Sequence, residues 1–173
     1  MTAETFELTP SSNAWPLLFK FRGPVLGTGF VALVEFTGRL LLRPHGGDVP
    51  DGFWIDGVNP GGFAFGACRL KDAHLELHSR LTGILADIAE EAESFDAFKS
   101  LVEEFFWQTD DQTVGEWDSC VREAQSGRLA PIPGILPVMP ATEPLGVRIT
   151  LKPAEDLTPK DNSAPGPLLA SVA

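Results

Sequence analysis

His74 and His78 stand one helical turn apart, the spacing at which two imidazoles can share a metal ion, and Glu76 lies between them in sequence. On a helical wheel both histidines fall at the border of an apolar stripe while Glu76 points elsewhere, so the H-E-x-x-H geometry of a zinc hydrolase is absent. The pair reads as an ordinary boundary between core and surface. Adjacent carboxylates recur at Glu90-Glu91, Glu103-Glu104 and Asp110-Asp111, and acid clusters of this kind can hold magnesium or move protons. Neighbouring residues on a helix diverge by about 100°, however, so such pairs do not converge by themselves. A magnesium-dependent nuclease would also draw on acids from strands, where Glu35 and Asp56 are the candidates. There is no G-x-x-x-x-G-K-[ST] loop and no G-x-S-x-G elbow, and Gly46-Gly47 and Gly61-Gly62 fit turns. Cys68 and Cys120 lack metal-type spacing and read as reduced core thiols. The expectation is a chain that is not an enzyme, with no catalytic residue, no cofactor and no metal.

Charge is the stronger signal. The net charge is -11, and the stretch from Leu70 to Ser126 holds 14 acids against 4 bases, which places -10 of it in one part of the chain. Such a field repels phosphate backbones and attracts basic partners. Bases are scattered elsewhere, and Arg148 with Lys152 near the C-terminus are too few for a phosphate-tracking stripe, so direct nucleic-acid binding is not expected. No apolar run reaches the roughly 20 residues of a membrane span, and the acidic start Met1–Glu7 does not resemble a signal peptide. A soluble, cytoplasmic protein without a membrane partner is therefore expected.

Periodicity places these residues on strands and helices. Leu17–Arg22 reads as a strand ending at Gly23-Pro24, and Gly29–Phe36 as a second. Thr37-Gly38 reads as a turn into a third strand at Arg39–Arg43. Residues 44–52 form a loop, Phe53–Ile55 and Phe63–Phe65 two short strands, and Asn59–Gly62 the turn between them. After Arg69 the period changes to 3.6. Leu70, Ala73, Leu77, Leu81, Ile84, Leu85, Ile88 and Ala92 make one apolar stripe on a long helix. Ser94 caps a second helix carrying Phe95, Phe98, Leu101, Val102, Phe105 and Phe106. Thr109 with Gln112 forms a capping-box pattern that opens a third, running through Val114, Trp117 and Val121 to a stop at Gly127. From Arg128 onward 9 of the 15 prolines accumulate, as expected of an extended tail. Within it, Gly146–Lys152 alternates like a strand that adds to a sheet edge, its own or a partner's.

The segment Val58-Asn59-Pro60-Gly61-Gly62-Phe63-Ala64-Phe65-Gly66, followed by Leu70-Lys71-Asp72-Ala73, resembles the core of HicB-like antitoxins. Pro60, Gly61, Gly66, Asp72 and Ala73 are the matching positions, and the likeness covers about the middle third of the chain. Two helices after the first, and no ribbon-helix-helix or helix-turn-helix segment at the C-terminus, depart from the pattern. The resemblance implies a partial ribonuclease-H-like fold that blocks a small basic RNA-cleaving toxin of a bacterial toxin–antitoxin pair.

The combined expectation is an α+β domain over 1–127, with an antiparallel sheet of about four strands packed against the long helix, two further helices beside it, and a proline-rich tail over 128–173. Its function is that of a non-catalytic acidic binding protein, an antitoxin-like inhibitor of a basic protein. The partner-binding candidates are Asp87, Glu90, Glu93, Asp96, Glu103, Glu104, Asp110 and Asp111. A non-enzymatic scaffold is the alternative and a metal-dependent hydrolase a more distant one; a homodimer is compatible with all three.

Overall fold

A computed structural model describes residues 14–44, 52–129 and 144–153. Of the loop expected at 44–52, residues 45–51 lie outside the described residues, His45 among them, as does most of the proline-rich segment; Pro44 ends a strand. The class is α+β, as expected. Four strands come first, β1 (Trp15–Gly27), β2 (Phe30–Pro44), β3 (Phe53–Asn59) and β4 (Ala64–Ala67). Three helices follow, α1 (Leu70–Glu91), α2 (Phe95–Trp107) and α3 (Asp111–Gln125), and β5 (Gly146–Lys152) closes the order.

The strand boundaries differ from those read in the sequence, for identifiable reasons. Gly23-Pro24 does not end β1, which pairs with β2 without interruption from Trp15↔Leu42 to Gly27↔Phe30. Among the described residues β1 has a neighbour on one side only, and on an edge strand a proline whose nitrogen faces outward breaks no ladder bond. The turn falls instead at Thr28-Gly29, where Gly29 adopts φ 80, the left-handed conformation that glycine accepts without steric cost. Thr37-Gly38 is not a turn either. Both residues lie inside the 15-residue β2.

β2 is the centre of the sheet and its second edge is shared. Residues Arg39–Pro44 pair with β3, whereas Val31–Thr37 pair with β5, so the two partners part company at Gly38. The register with β3 shifts between Arg39 and Leu40, which leaves Val58 as an extra residue. β4 pairs with β3 at the far edge. All pairs are antiparallel, and among the described residues the sheet has five strands, in line with the expected antiparallel sheet of about four: the strands read at Gly29–Phe36 and Arg39–Arg43 are one, β2, and Gly146–Lys152 adds to the chain's own sheet.

Alternation along the strands creates two apolar faces. The larger core gathers Leu17, Phe19, Phe21, Ala32, Val34, Phe36, Leu40 and Leu42 with the buried stripes of α1 and α2. On α1 that stripe is Ala73, Leu77, Leu81, Leu85 and Ala89. Each fully buried leucine contributes about 2 kcal/mol through removal of apolar surface from water. On α2, Phe98 packs at 5.2 Å from Phe30 and Phe106 stacks on Phe36 at the same spacing. Ser94 caps α2 as expected, its hydroxyl accepting from the Ala97 N–H at 3.2 Å.

α3 does not lie beside the other two helices. It packs on the opposite face of the sheet, where Trp117 and Cys120 meet Leu41, Val58 and Ala14. Its cap is Asp110 rather than Thr109, with the carboxylate accepting from the Thr113 N–H at 2.9 Å and from the Thr113 hydroxyl at 2.8 Å. Cys120 is buried as read, but Cys68 is exposed, because it falls in the link between β4 and α1.

Candidate functional site

All eight partner-binding candidates are solvent-exposed, because the apolar stripes that fix each helix leave the acids on the outer side. The fold sorts them into three groups. Asp87 and Glu90 on the last turns of α1, Glu93 in the link and Asp96 in the first turn of α2 form a continuous helical corner. Glu103 and Glu104 lie towards the other end of α2, where Glu103 approaches Lys99 at 3.9 Å. Asp110 and Asp111 belong to the start of α3, on its way to the opposite sheet face. Asp110 is occupied by its capping role, and the N–H and hydroxyl of Thr113 hold its carboxyl below the usual carboxylate range. Asp87, Glu90, Glu93 and Asp96 make no ion pair among the described residues. The helical corner is therefore the coherent part of the acidic field, and the -10 seen along the sequence is divided between two faces in space.

The histidine pair is placed as the wheel implied. His78 packs its ring 4.8 Å from that of Phe21, and Glu76 turns away to pair with Arg80 at 2.7 Å. No group of three or more His, Cys, Asp or Glu able to hold a metal occurs among the described residues. Both ring nitrogens of His74 are buried without a hydrogen-bond partner among the described residues. Burial, with a smaller contribution from the charge of His78, lowers the His74 pKa from its ordinary 6.5. Above pH 6.5 both folded and unfolded states keep this ring neutral; below it the unfolded chain takes up the proton first, so stability is lost as pH falls through the folded value. Thermal midpoints measured at about pH 7.5 and about pH 5.5 should show the lower value in acid, with a smaller difference in His74→Phe. An unchanged difference in that variant would assign the acid sensitivity to other groups.

Behind α3 lies a second set of charges. Arg43 donates from Nε to Asp56 at 2.8 Å and from its terminal nitrogen to Glu116. Burial works against the Arg43 charge, but the two carboxylates more than offset it and raise its pKa. The hydrogen bond from Arg43 in turn holds Glu116 below its ordinary 4.5, so this contribution is lost only at acidities well beyond the histidine window. Arg39 sits over the Trp117 ring at 4.8 Å and donates to the Asn59 side chain at 2.6 Å. Burial lowers the Arg39 pKa, opposed by Asp118. These cations fasten α3 to the sheet. Asp56, a candidate metal acid in the sequence, is engaged there, while Glu35 pairs with Arg22 at 3.5 Å on β1 and β2, so the two do not converge.

Sequence reading missed one grouping. Lys20, Arg22, Arg148 and Lys152 look scattered along the chain, yet strand pairing brings them to one sheet face. The signal was present in their alternation with Phe19, Phe21, Val147 and Ile149, but it has spatial meaning only once β5 is known to join β2.

Among the described residues no helix is long and apolar enough to cross a membrane. The chain defines an α+β class with a five-stranded antiparallel sheet clasped by two helices on one face and one on the other. Compared with protein-family models, curated proteins and solved structures, it matches none.

Proposed function

We propose that this chain is a non-catalytic binding protein of the cytoplasm, an antitoxin-like inhibitor that covers a small basic RNA-cleaving protein with the outer face of its α1–α2 corner. The observation that carries the reading is the exposed run Asp87, Glu90, Glu93 and Asp96, four carboxylates without an ion-pair partner among the described residues. A protein that holds RNA presents a positive surface, and an opposite field speeds encounter and selects partners more than it adds affinity. The HicB-like resemblance supports the same reading. Its matching positions fall in sequence just after β3 (Pro60-Gly61), in β4 (Gly66) and in the first turn of α1 (Asp72-Ala73).

The test is affinity capture by the full chain, compared with a variant in which Asp87 and Asp96 become Asn and Glu90 and Glu93 become Gln. The reading requires a small basic protein that cleaves RNA, retained by the native chain and released by the variant. Retention of the same protein by both would remove the acidic corner from the interface, and capture of acidic or neutral proteins alone would favour a scaffold.

A further inference from the structure

The face of the sheet that α3 leaves open runs in cross-strand rows, Lys20–Thr37–Gly146 and then Arg22–Glu35–Arg148, with Lys152 opposite Val31 farther along. Four bases and one acid thus share a surface on a chain whose net charge is -11. Lys20, Arg22, Glu35, Thr37, Leu145 and Arg148 border a groove of about 550 Å³. Gly146 contributes no side chain to it, and a Cβ built there would meet nothing within 4 Å. Glu35 neutralises Arg22 at 3.5 Å. Arg148 is exposed and has no ion-pair partner among the described residues.

We propose that this groove is a second binding surface, which takes a short, extended, acidic peptide segment of a partner protein. Volume and repeat both suit such a segment. Pockets of roughly 300–1,000 Å³ hold ligands of this size. An extended peptide repeats its same-side residues about every 7 Å, the interval that separates Lys20 from Arg22 along β1 and Gly146 from Arg148 along β5. Glutamates at alternate positions of a peptide laid along the strands therefore meet one charged row after another. Thr37 adds a hydroxyl beside them.

A nucleic acid fits less well, although it offers the same charge. α3 packs on this face and carries Asp111, Glu116, Asp118 and Glu123 against Arg122. A polyphosphate long enough to gain from counterion release would extend into that negative field. A peptide with two or three carboxylates ends before it. The proposal is independent of the acidic corner, which lies on helices covering the other side of the sheet, so either can fail alone.

The measurement is fluorescence anisotropy of a labelled peptide about six residues long with glutamate at alternate positions, titrated with the full chain. The same peptide with glutamine, and a single-stranded oligonucleotide of about ten nucleotides, serve as comparison probes. Saturable binding of the glutamate peptide is expected, weakened about tenfold by Arg148→Glu and by Gly146→Glu and less than about threefold by Arg148→Lys. The two charge-introducing variants act at separate positions, and a thermal midpoint confirms the fold of each, so misfolding of one leaves the other to decide. Absence of saturable binding overturns the proposal. So do equal binding of the glutamine peptide, tighter binding of the oligonucleotide, or an unchanged affinity in the folded variants.

Discussion

Gly38→Ala is expected to destabilise the protein by about 3 kcal/mol or more, enough to remove much of the stability of an ordinary domain. A Cβ at this position would stand 2.2 Å from the Asn59 carbonyl oxygen and 2.4 Å from the Phe19 ring. The ring belongs to the main core, where Phe19 is 1% exposed, and the carbonyl is backbone, so neither neighbour can swing aside. Gly38 is also the point at which β2 exchanges β5 for β3 as its partner. The added methyl thus pushes apart the strand pair on which both faces depend. Urea unfolding of the variant checks this, and a loss below about 1 kcal/mol would mean that the crossing point yields more readily than a packed interior does.

Asn59→Ala is the second large effect, at about 2–3 kcal/mol, the range for a hydrogen bond to a charged group whose loss strands its partner. Asn59 is 1% exposed and is the one buried polar residue among those described. Its side-chain oxygen accepts from Arg39 at 2.6 Å, and its amide nitrogen donates to the Phe106 carbonyl at 3.4 Å. Arg39 stacks on Trp117 of α3, and Phe106 ends the buried stripe of α2. One carboxamide therefore ties the helix layers on opposite sides of the sheet. Removing it leaves a half-buried guanidinium without its acceptor. In a double-mutant cycle with Arg39→Met, the penalty for Asn59→Ala should shrink by about 1 kcal/mol or more, since the stranded charge is gone. Additive losses would show that Asn59 acts by packing alone.

The helices were legible in the sequence because each is long enough for its period to declare itself. The five buried positions of α1 recur every four residues, and Ser94 caps where a cap is needed. The strand limits were less legible because Gly and Pro are ambiguous punctuation. Gly23-Pro24 is tolerated on an edge, and Gly38 is small for the sake of a close approach and not of a turn. The seat of α3 was hidden for a different reason: an amphipathic stripe states that a helix is half-buried, not which layer buries it. Leu40-Leu41-Leu42 nevertheless carried that information. All three are at most 2% exposed, and an unbroken apolar run in a strand means that both sheet faces are covered there. The acidic candidates were legible as exposed, and their division into three groups was not, since Glu104 and Asp111 are close in chain but belong to helices on opposite faces. The basic groove required β5, a strand whose partner no local pattern names.

Whether the exposed acids of the α1–α2 corner hold and silence a basic partner is decided by titrating the chain into RNA cleavage by the protein it captures. Stoichiometric inhibition is expected, with an association rate that falls steeply from about 50 to about 500 mM salt and a comparable fall when Asp87, Glu90, Glu93 and Asp96 are neutralised. Cleavage that continues at saturating chain, or inhibition indifferent to both salt and those four carboxylates, would contradict it.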